Sequence, residues 1–145
     1  MDPHPFEFHH LGVAVADMAA AVRDYRELFG YEVRSGPFDD PVQRVTVCFL
    51  GRPAAAAGAA AEPEIELIAP LGDDSPVRRL LKAGGGAYHT CYAVADVDAA
   101  LRRARETNCL VVSGPVPAVA FGGRRIAWFY TPARQLVEVV EREPR

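Results

Sequence analysis

The chain has little of what would tie it to nucleic acid, to a bilayer or to an oxidising compartment. It has one lysine, Lys82, beside fifteen arginines, and acidic residues outnumber basic ones 19 to 16. The two signs are interspersed, so no basic stripe of the kind a nucleic-acid surface needs can be drawn. No apolar run reaches the roughly 20 residues that span a membrane. The opening Met1-Asp-Pro-His-Pro lacks the basic-then-apolar layout of a secretory signal. Cysteine is scarce and odd in number: Cys48, Cys91 and Cys109 stand apart, outside any Cys-X-X-Cys, each in an apolar run. They predict no disulfide framework, but small buried side chains in a reducing cytoplasm.

What is present is a repeat. Shifted by 79 residues, His10-Leu-Gly-Val-Ala-Val-Ala-Asp17 falls on His89-Thr-Cys-Tyr-Ala-Val-Ala-Asp96, and Ala20, Ala21, Arg23, Arg26 and Glu27 fall on Ala99, Ala100, Arg102, Arg105 and Glu106. Half of the 145 residues are hydrophobic and about a quarter are charged, an ordinary globular balance. A chain of this length buries roughly 70% of its unfolded surface, enough for one domain, 1–145, built of two small modules.

Periodicity sets the elements. Phe8 to Val15 alternates as a strand, with His10, Gly12 and Ala14 on one face and Leu11, Val13 and Val15 on the other. Asp17 caps a helix whose apolar positions Met18, Val22 and Tyr25 carry it to about Leu28, before Gly30. A strand at Tyr31–Ser35, a loop over 36–41, a strand at Arg44–Leu50, an Ala/Gly/Pro loop over 53–63 and a strand at Glu64–Ile68 complete the first half. A short helix after Ser75-Pro76, closed by Gly84-Gly-Gly86, forms the link. The second half repeats the order: strand Tyr88–Val94, helix Val97–Thr107 capped by Asp96, strand Leu110–Val112, a Pro/Gly loop over 113–123, then strands Arg125–Tyr130 and Leu136–Val140. The predicted fold class is α+β: two tandem βαβββ modules, about 8–71 and 87–141, joined by a helical linker over 72–86 and forming a cleft-like half-barrel sheet.

Each half opens on a histidine and closes on a glutamate. Glu66 in Glu64-Ile-Glu-Leu-Ile68 and Glu138 in Leu136-Val-Glu-Val-Val140 sit opposite the branched faces of their strands, on the side that His10 and His89 also take. A carboxylate in a sheet concavity is costly unless it is paired or binds a metal. Two imidazoles and two carboxylates suit one divalent first-row ion: Co, Ni, Zn, Mn or Fe. His10, Glu66, His89 and Glu138 are the candidate metal ligands.

These motifs resemble the vicinal oxygen chelate superfamily, which includes glyoxalase I, extradiol dioxygenases, bleomycin- and fosfomycin-resistance proteins and methylmalonyl-CoA epimerases. The resemblance runs from His10 to Glu141. His10-Leu-Gly-Val-Ala-Val is similar to the first metal-ligand strand. Glu64-Ile-Glu-Leu-Ile-Ala-Pro-Leu71 and the linker Asp74-Ser-Pro-Val77 are similar to the epimerase branch. Arg125-Ile-Ala-Trp-Phe-Tyr-Thr-Pro with Leu136-Val-Glu138 is similar to the last hairpin. Four departures stand out: Thr131-Pro-Ala-Arg-Gln135 replaces a His-Pro-Lys turn, Tyr88-His89 a double histidine, Gln43-Arg44 a Gln-Gly pair, and Thr46 and Val47 a strand on which some epimerases carry a carboxylate.

The resemblance implies a metal-dependent enzyme that moves a proton next to a carbonyl through a metal-stabilised enolate. The substrate it implies is a small molecule such as an acyl-CoA or another thioester, without nucleic acid or membrane, and the protein is expected as a homodimer. Glu138, Glu66 and Glu64 are the candidate bases. Gln43, Arg44, Arg124, Trp128 and Tyr130 are the candidate substrate contacts. A glyoxalase I-like lyase or isomerase and a non-catalytic binding or resistance protein are the alternatives. Extradiol oxygenation, with two histidines and one carboxylate, fits less well because Glu66 would be a fourth ligand.

Overall fold

The structure, a computed structural model, describes residues 4–143. They fall into two compact units, one of residues 10–88 and the other of 4–9 with 89–143. In chain order the elements are β1 (Glu7–Ala14), α1 (Met18–Phe29), β2 (Glu32–Asp40), β3 (Val45–Gly51), β4 (Glu64–Pro70), α2 (Val77–Lys82), β5 (Gly86–Val94), α3 (Val97–Glu106), β6 (Leu110–Pro117), a 3₁₀ turn (Val119–Phe121), β7 (Arg125–Tyr130) and β8 (Leu136–Glu141). The strand order is β2-β3-β4-β1 in the first half and β5-β8-β7-β6 in the second. In both, the opening strand runs parallel to the closing one and the remaining pairs are antiparallel. Two βαβββ modules are what the repeat predicted.

Local chemistry explains the elements. Asp17 Oδ1 accepts the Ala20 amide at 3.0 Å and Asp96 Oδ1 the Ala99 amide at 3.2 Å, so one side-chain cap starts both long helices. Gly30, at φ +74°, closes α1 by returning its N–H to Arg26 O. The branched strand faces then cover the helices. Leu11, Val13, Ile65 and Leu67 pack with Met18, Ala21, Val22 and Tyr25, while Val94, Val137 and Val139 pack with Val97, Ala100, Leu101 and Ala104. Cys48 and Cys91 are fully buried, and burial pushes the Cys48 thiol up.

Two expectations need correction. Residues 36–41 and 113–117 read as loops because of their Gly and Pro content, yet β2 runs through to Asp40 and β6 through to Pro117. Each strand absorbs its Gly-Pro pair, Gly36-Pro37 and Gly114-Pro115, in a cis peptide between register shifts. Both strands lie at the outside of their halves, where a missing N–H is tolerated and a bulge is common. The 53–63 tract is the exposed loop the sequence suggested. Its base is held by Arg52, whose guanidinium forks onto Glu62 at 2.6 and 2.8 Å and lies over the Tyr31 ring.

One ion cluster ties β7, β8 and α3 together. Arg125 Nη2 reaches Glu141 Oε2 at 2.6 Å and Asp98 Oδ2 at 3.2 Å, and Glu141 also accepts the Val97 amide. Chiefly through Arg125, the Glu141 carboxyl is held below its ordinary value. A depressed carboxyl adds stability above its unfolded value of about 4.3, and that stability is lost as the pH falls through the folded value. Urea melts of Glu141→Gln should therefore lie below wild type at neutral pH and converge on it below about pH 4. Equal separation at both pH values would contradict this. The gap should be modest, because the partners are solvent-accessible.

Candidate metal centre

In the first half β1 and β4 lie parallel, with His10 in register with Glu64 and Gly12 with Glu66. Alternation puts His10, Glu64 and Glu66 on the face away from α1. His10 Nε2 lies 3.2 Å from Glu66 Oε1. The second half repeats the arrangement, with His89 Nε2 3.6 Å from Glu138 Oε1. All four residues are at least 95% buried: His10 is 0% exposed, His89 and Glu138 3%, and Glu66 5%.

The spacing within each pair suits a metal edge. Two ligands at about 2.1 Å from a first-row ion, set at right to tetrahedral angles, lie roughly 3.0–3.4 Å apart. The first pair is inside that window and the second is 0.2 Å beyond its upper end. An imidazole nitrogen and a carboxylate oxygen are also the borderline and hard donors that such ions accept. The residues present therefore fit a divalent cation.

Each imidazole is held by an aromatic edge. Phe49 of β3 meets His10 at 5.3 Å between centroids and 75° between planes; Trp128 of β7 meets His89 at 4.8 Å and 80°. Phe49 and Trp128 are also the residues in register with Glu66 and Glu138. The sequence reading named Trp128 as a substrate contact and missed Phe49. The signal was available, since the same 79-residue shift carries Phe49 onto Trp128.

The other candidates are more scattered. Glu64 is half-buried beside the pair; burial raises its carboxyl, opposed by His10 and Arg34. Gln43 sits in the β2–β3 turn, where Asp40 accepts its backbone amide at 2.9 Å. Arg44, at φ +59°, pairs with Asp74 at 3.0 Å on the surface. Arg124 lies over the Phe121 ring and donates to the carbonyls of Phe121 and Glu141, which makes it a brace for its own hairpin. Tyr130 is exposed at the end of β7.

Known proteins share this architecture. The model of the Glyoxalase/Bleomycin resistance protein/Dioxygenase superfamily matches residues 9–128. An ethylmalonyl-CoA/methylmalonyl-CoA epimerase of Cereibacter sphaeroides is 34% identical over 124 residues, covering 84% of this chain and 86% of the relative. Among solved structures, methylmalonyl-CoA epimerase from Mycobacterium tuberculosis superposes with a TM-score of 0.81 at 26% identity, covering 99% of this chain and 93% of that one. Streptomyces coelicolor methylmalonyl-CoA epimerase in complex with 2-nitronate-propionyl-CoA does so at 0.78 and 28% identity, covering 97% and 100%. With its duplicated βαβββ order and its matched His–Glu pairs, the chain belongs to the Glyoxalase/Bleomycin resistance protein/Dioxygenase superfamily.

Proposed function

We propose that the chain is a divalent-metal-dependent epimerase of a 2-alkylmalonyl-CoA thioester, in which His10, Glu66, His89 and Glu138 together hold one cation. The observation that carries this reading is the duplicated pair: a buried imidazole and a buried carboxylate at ligand spacing, each braced by an aromatic edge, in both halves. The named relatives that act on CoA thioesters support the substrate class.

The α-proton of a malonyl thioester is hard to remove because the product oxyanion is unstable in isolation. When bound, the cation supplies positive charge beside that oxygen, worth several kcal/mol. The chain's own residues do the rest. Phe49 and Trp128 fix the ring planes of the two histidines. The buried apolar side chains Val45, Val47 and Ile68, on the same side of their strands as Glu66, keep water from that side. A positioned carboxylate then contributes about 10²–10⁴-fold as base.

Homodimerisation is part of this reading. Leu28 and Phe29 at the end of α1 and Val33 on β2 leave apolar surface for a second copy to cover; light scattering checks it. So is a cytoplasmic location, which suits the free thiols Cys48 and Cys91. No helix among the described residues is long and apolar enough to cross a membrane.

The test is proton exchange in D₂O. Metal-loaded protein should wash the α-proton out of methylmalonyl-CoA or ethylmalonyl-CoA, followed by NMR. No exchange on either thioester contradicts the reading. Because the same donors suit hemithioacetal isomerisation, a glutathione–methylglyoxal arm belongs beside it; turnover there alone would make the protein a lyase.

A further inference from the structure

We propose that Arg34 binds the free carboxylate of the malonyl thioester and so makes the site prefer an acyl group that carries one. The proposal rests on the epimerase reading and deepens it by naming a determinant of substrate class.

A bulge aims this side chain. Along β2 and β3, Val33 lies opposite Leu50 and Ser35 opposite Phe49, so Arg34 is the extra residue between them. An inserted residue of this kind bends its strand and can re-aim its side chain. Gly51 shows where it goes. A Cβ built on Gly51 would lie 2.6 Å from Arg34 Nε and 3.0 Å from its Cγ. The Arg34 stem thus fills the place where a β3 side chain would stand. Strand alternation puts Gly51 on the face of Phe49, whose ring edge meets His10. The guanidinium is therefore carried from the outer strand over β3, on the face that holds His10, Glu64 and Glu66. Its charge is felt at Glu64: burial raises that carboxyl, and Arg34 is one of the charges that oppose the rise. Arg34 is exposed, and among the described residues no hydrogen bond or ion pair engages its guanidinium.

The repeat sets Arg34 apart. In the second half the bulge falls between Val111, opposite Phe129, and Ser113, opposite Trp128, and its extra residue is Val112. The counterpart of Gly51 is Tyr130, and the residue two before the ligand glutamate is Leu136 in place of Glu64. The row Arg34, Gly51, Glu64 of the first half is thus Val112, Tyr130, Leu136 in the second. The first half combines a cation with the room to lay it across the sheet, and the second has neither.

A malonyl thioester differs from an ordinary acyl thioester by one carboxylate. A guanidinium meets a carboxylate with two parallel N–H donors, and it stays charged at any working pH. Arg34 offers such a fork on the face of the metal ligands, with its donors open to a ligand.

The experiment is a comparison of affinities. Metal-loaded wild type, Arg34→Gln, Arg34→Lys and Gly51→Ala are titrated by calorimetry with malonyl-CoA and with propionyl-CoA, which lacks the carboxylate. Metal content is measured alongside, as is α-proton exchange on methylmalonyl-CoA. Wild type should prefer malonyl-CoA. Arg34→Gln should keep its metal, bind propionyl-CoA as wild type does and lose about 10-fold or more of that preference. Arg34→Lys, with charge but no fork, should fall between the two. Gly51→Ala, which displaces the arginine without removing it, should also weaken the preference. An unchanged preference in Arg34→Gln overturns the assignment. So do equal losses on both thioesters, which would place Arg34 on the CoA part, and loss of metal, which would make it a support for the metal site. A wild type that exchanges no α-proton overturns the epimerase reading, and the assignment falls with it; an active wild type with an unaffected variant overturns Arg34 alone.

Discussion

Alanine at His10 and, separately, alanine at His89 should each lower kcat/KM on the thioester by about 10³-fold, a loss of roughly 4 kcal/mol of transition-state stabilisation. The reasoning is the same for both halves. Each imidazole is buried against one carboxylate, at 3.2 Å in the first half and 3.6 Å in the second. Removing it deletes one ligand, so the cation is held more weakly and its charge is less well placed. A chelator should mimic both variants. Metal at 100 times its dissociation constant stabilises a protein by about 2.7 kcal/mol, so chelation should lower the melting temperature by about 8 °C. The two alanine variants should be insensitive to the chelator. Full activity in either variant would mean that its half contributes no ligand.

The second large effect is on stability. Gly114→Ala should cost about 4 kcal/mol and lower the melting temperature by about 12 °C. Gly114 sits at φ +98°, and an added Cβ would lie 2.6 Å from Ile126 O and 2.7 Å from the Ala127 Cα of the neighbouring strand. The left-handed backbone costs an L-residue about 1–2 kcal/mol, and overpacking adds about 1–3 more. The obstacle is backbone, which cannot swing aside. Gly36 repeats the geometry, at φ +93° with Val47 O 2.8 Å from the built Cβ. Gly30, at φ +74° with nothing within 4 Å of its Cβ position, is the control. Gly30→Ala should cost only the backbone share, about 1 kcal/mol. Thermal melts of the three variants check the ranking, and equal losses at Gly30 and Gly114 would contradict the steric account.

Gly36 and Gly114 also mark where the sequence was hard to read. Strand signals on β7 and both helix caps were legible because alternation and Asx capping are local: Arg125–Tyr130 is placed to the residue, and Asp17 and Asp96 cap the helices assigned to them. The outer strands were shortened because Gly-Pro reads as a turn, and what carries the strand through it is pairing with the next strand, which no local window contains. The duplication held the answer, since Gly36-Pro37 and Gly114-Pro115 occupy matching places in the two halves. The site divides the same way. His10, Glu66, His89 and Glu138 could be chosen from the repeat and strand alternation, and the structure puts each histidine beside the glutamate of its own half. Phe49 was missed because an aromatic in an apolar strand looks like core, and only the 79-residue shift onto Trp128 sets it apart. Arg44 and Arg124 looked like ligand-binding charges. Their commitments, to Asp74 and to the carbonyls of Phe121 and Glu141, depend on chain folding that composition does not reveal.

The most direct measurement is the metal stoichiometry of the purified protein by elemental analysis, for wild type, His10→Ala and His89→Ala. Convergence of both pairs on one cation predicts one divalent ion per wild-type chain and near-complete loss from either variant. Two ions per wild-type chain, with one retained in each variant, would mean that the halves bind separately, and no ion in any sample that metal has been offered to would contradict a metal centre altogether.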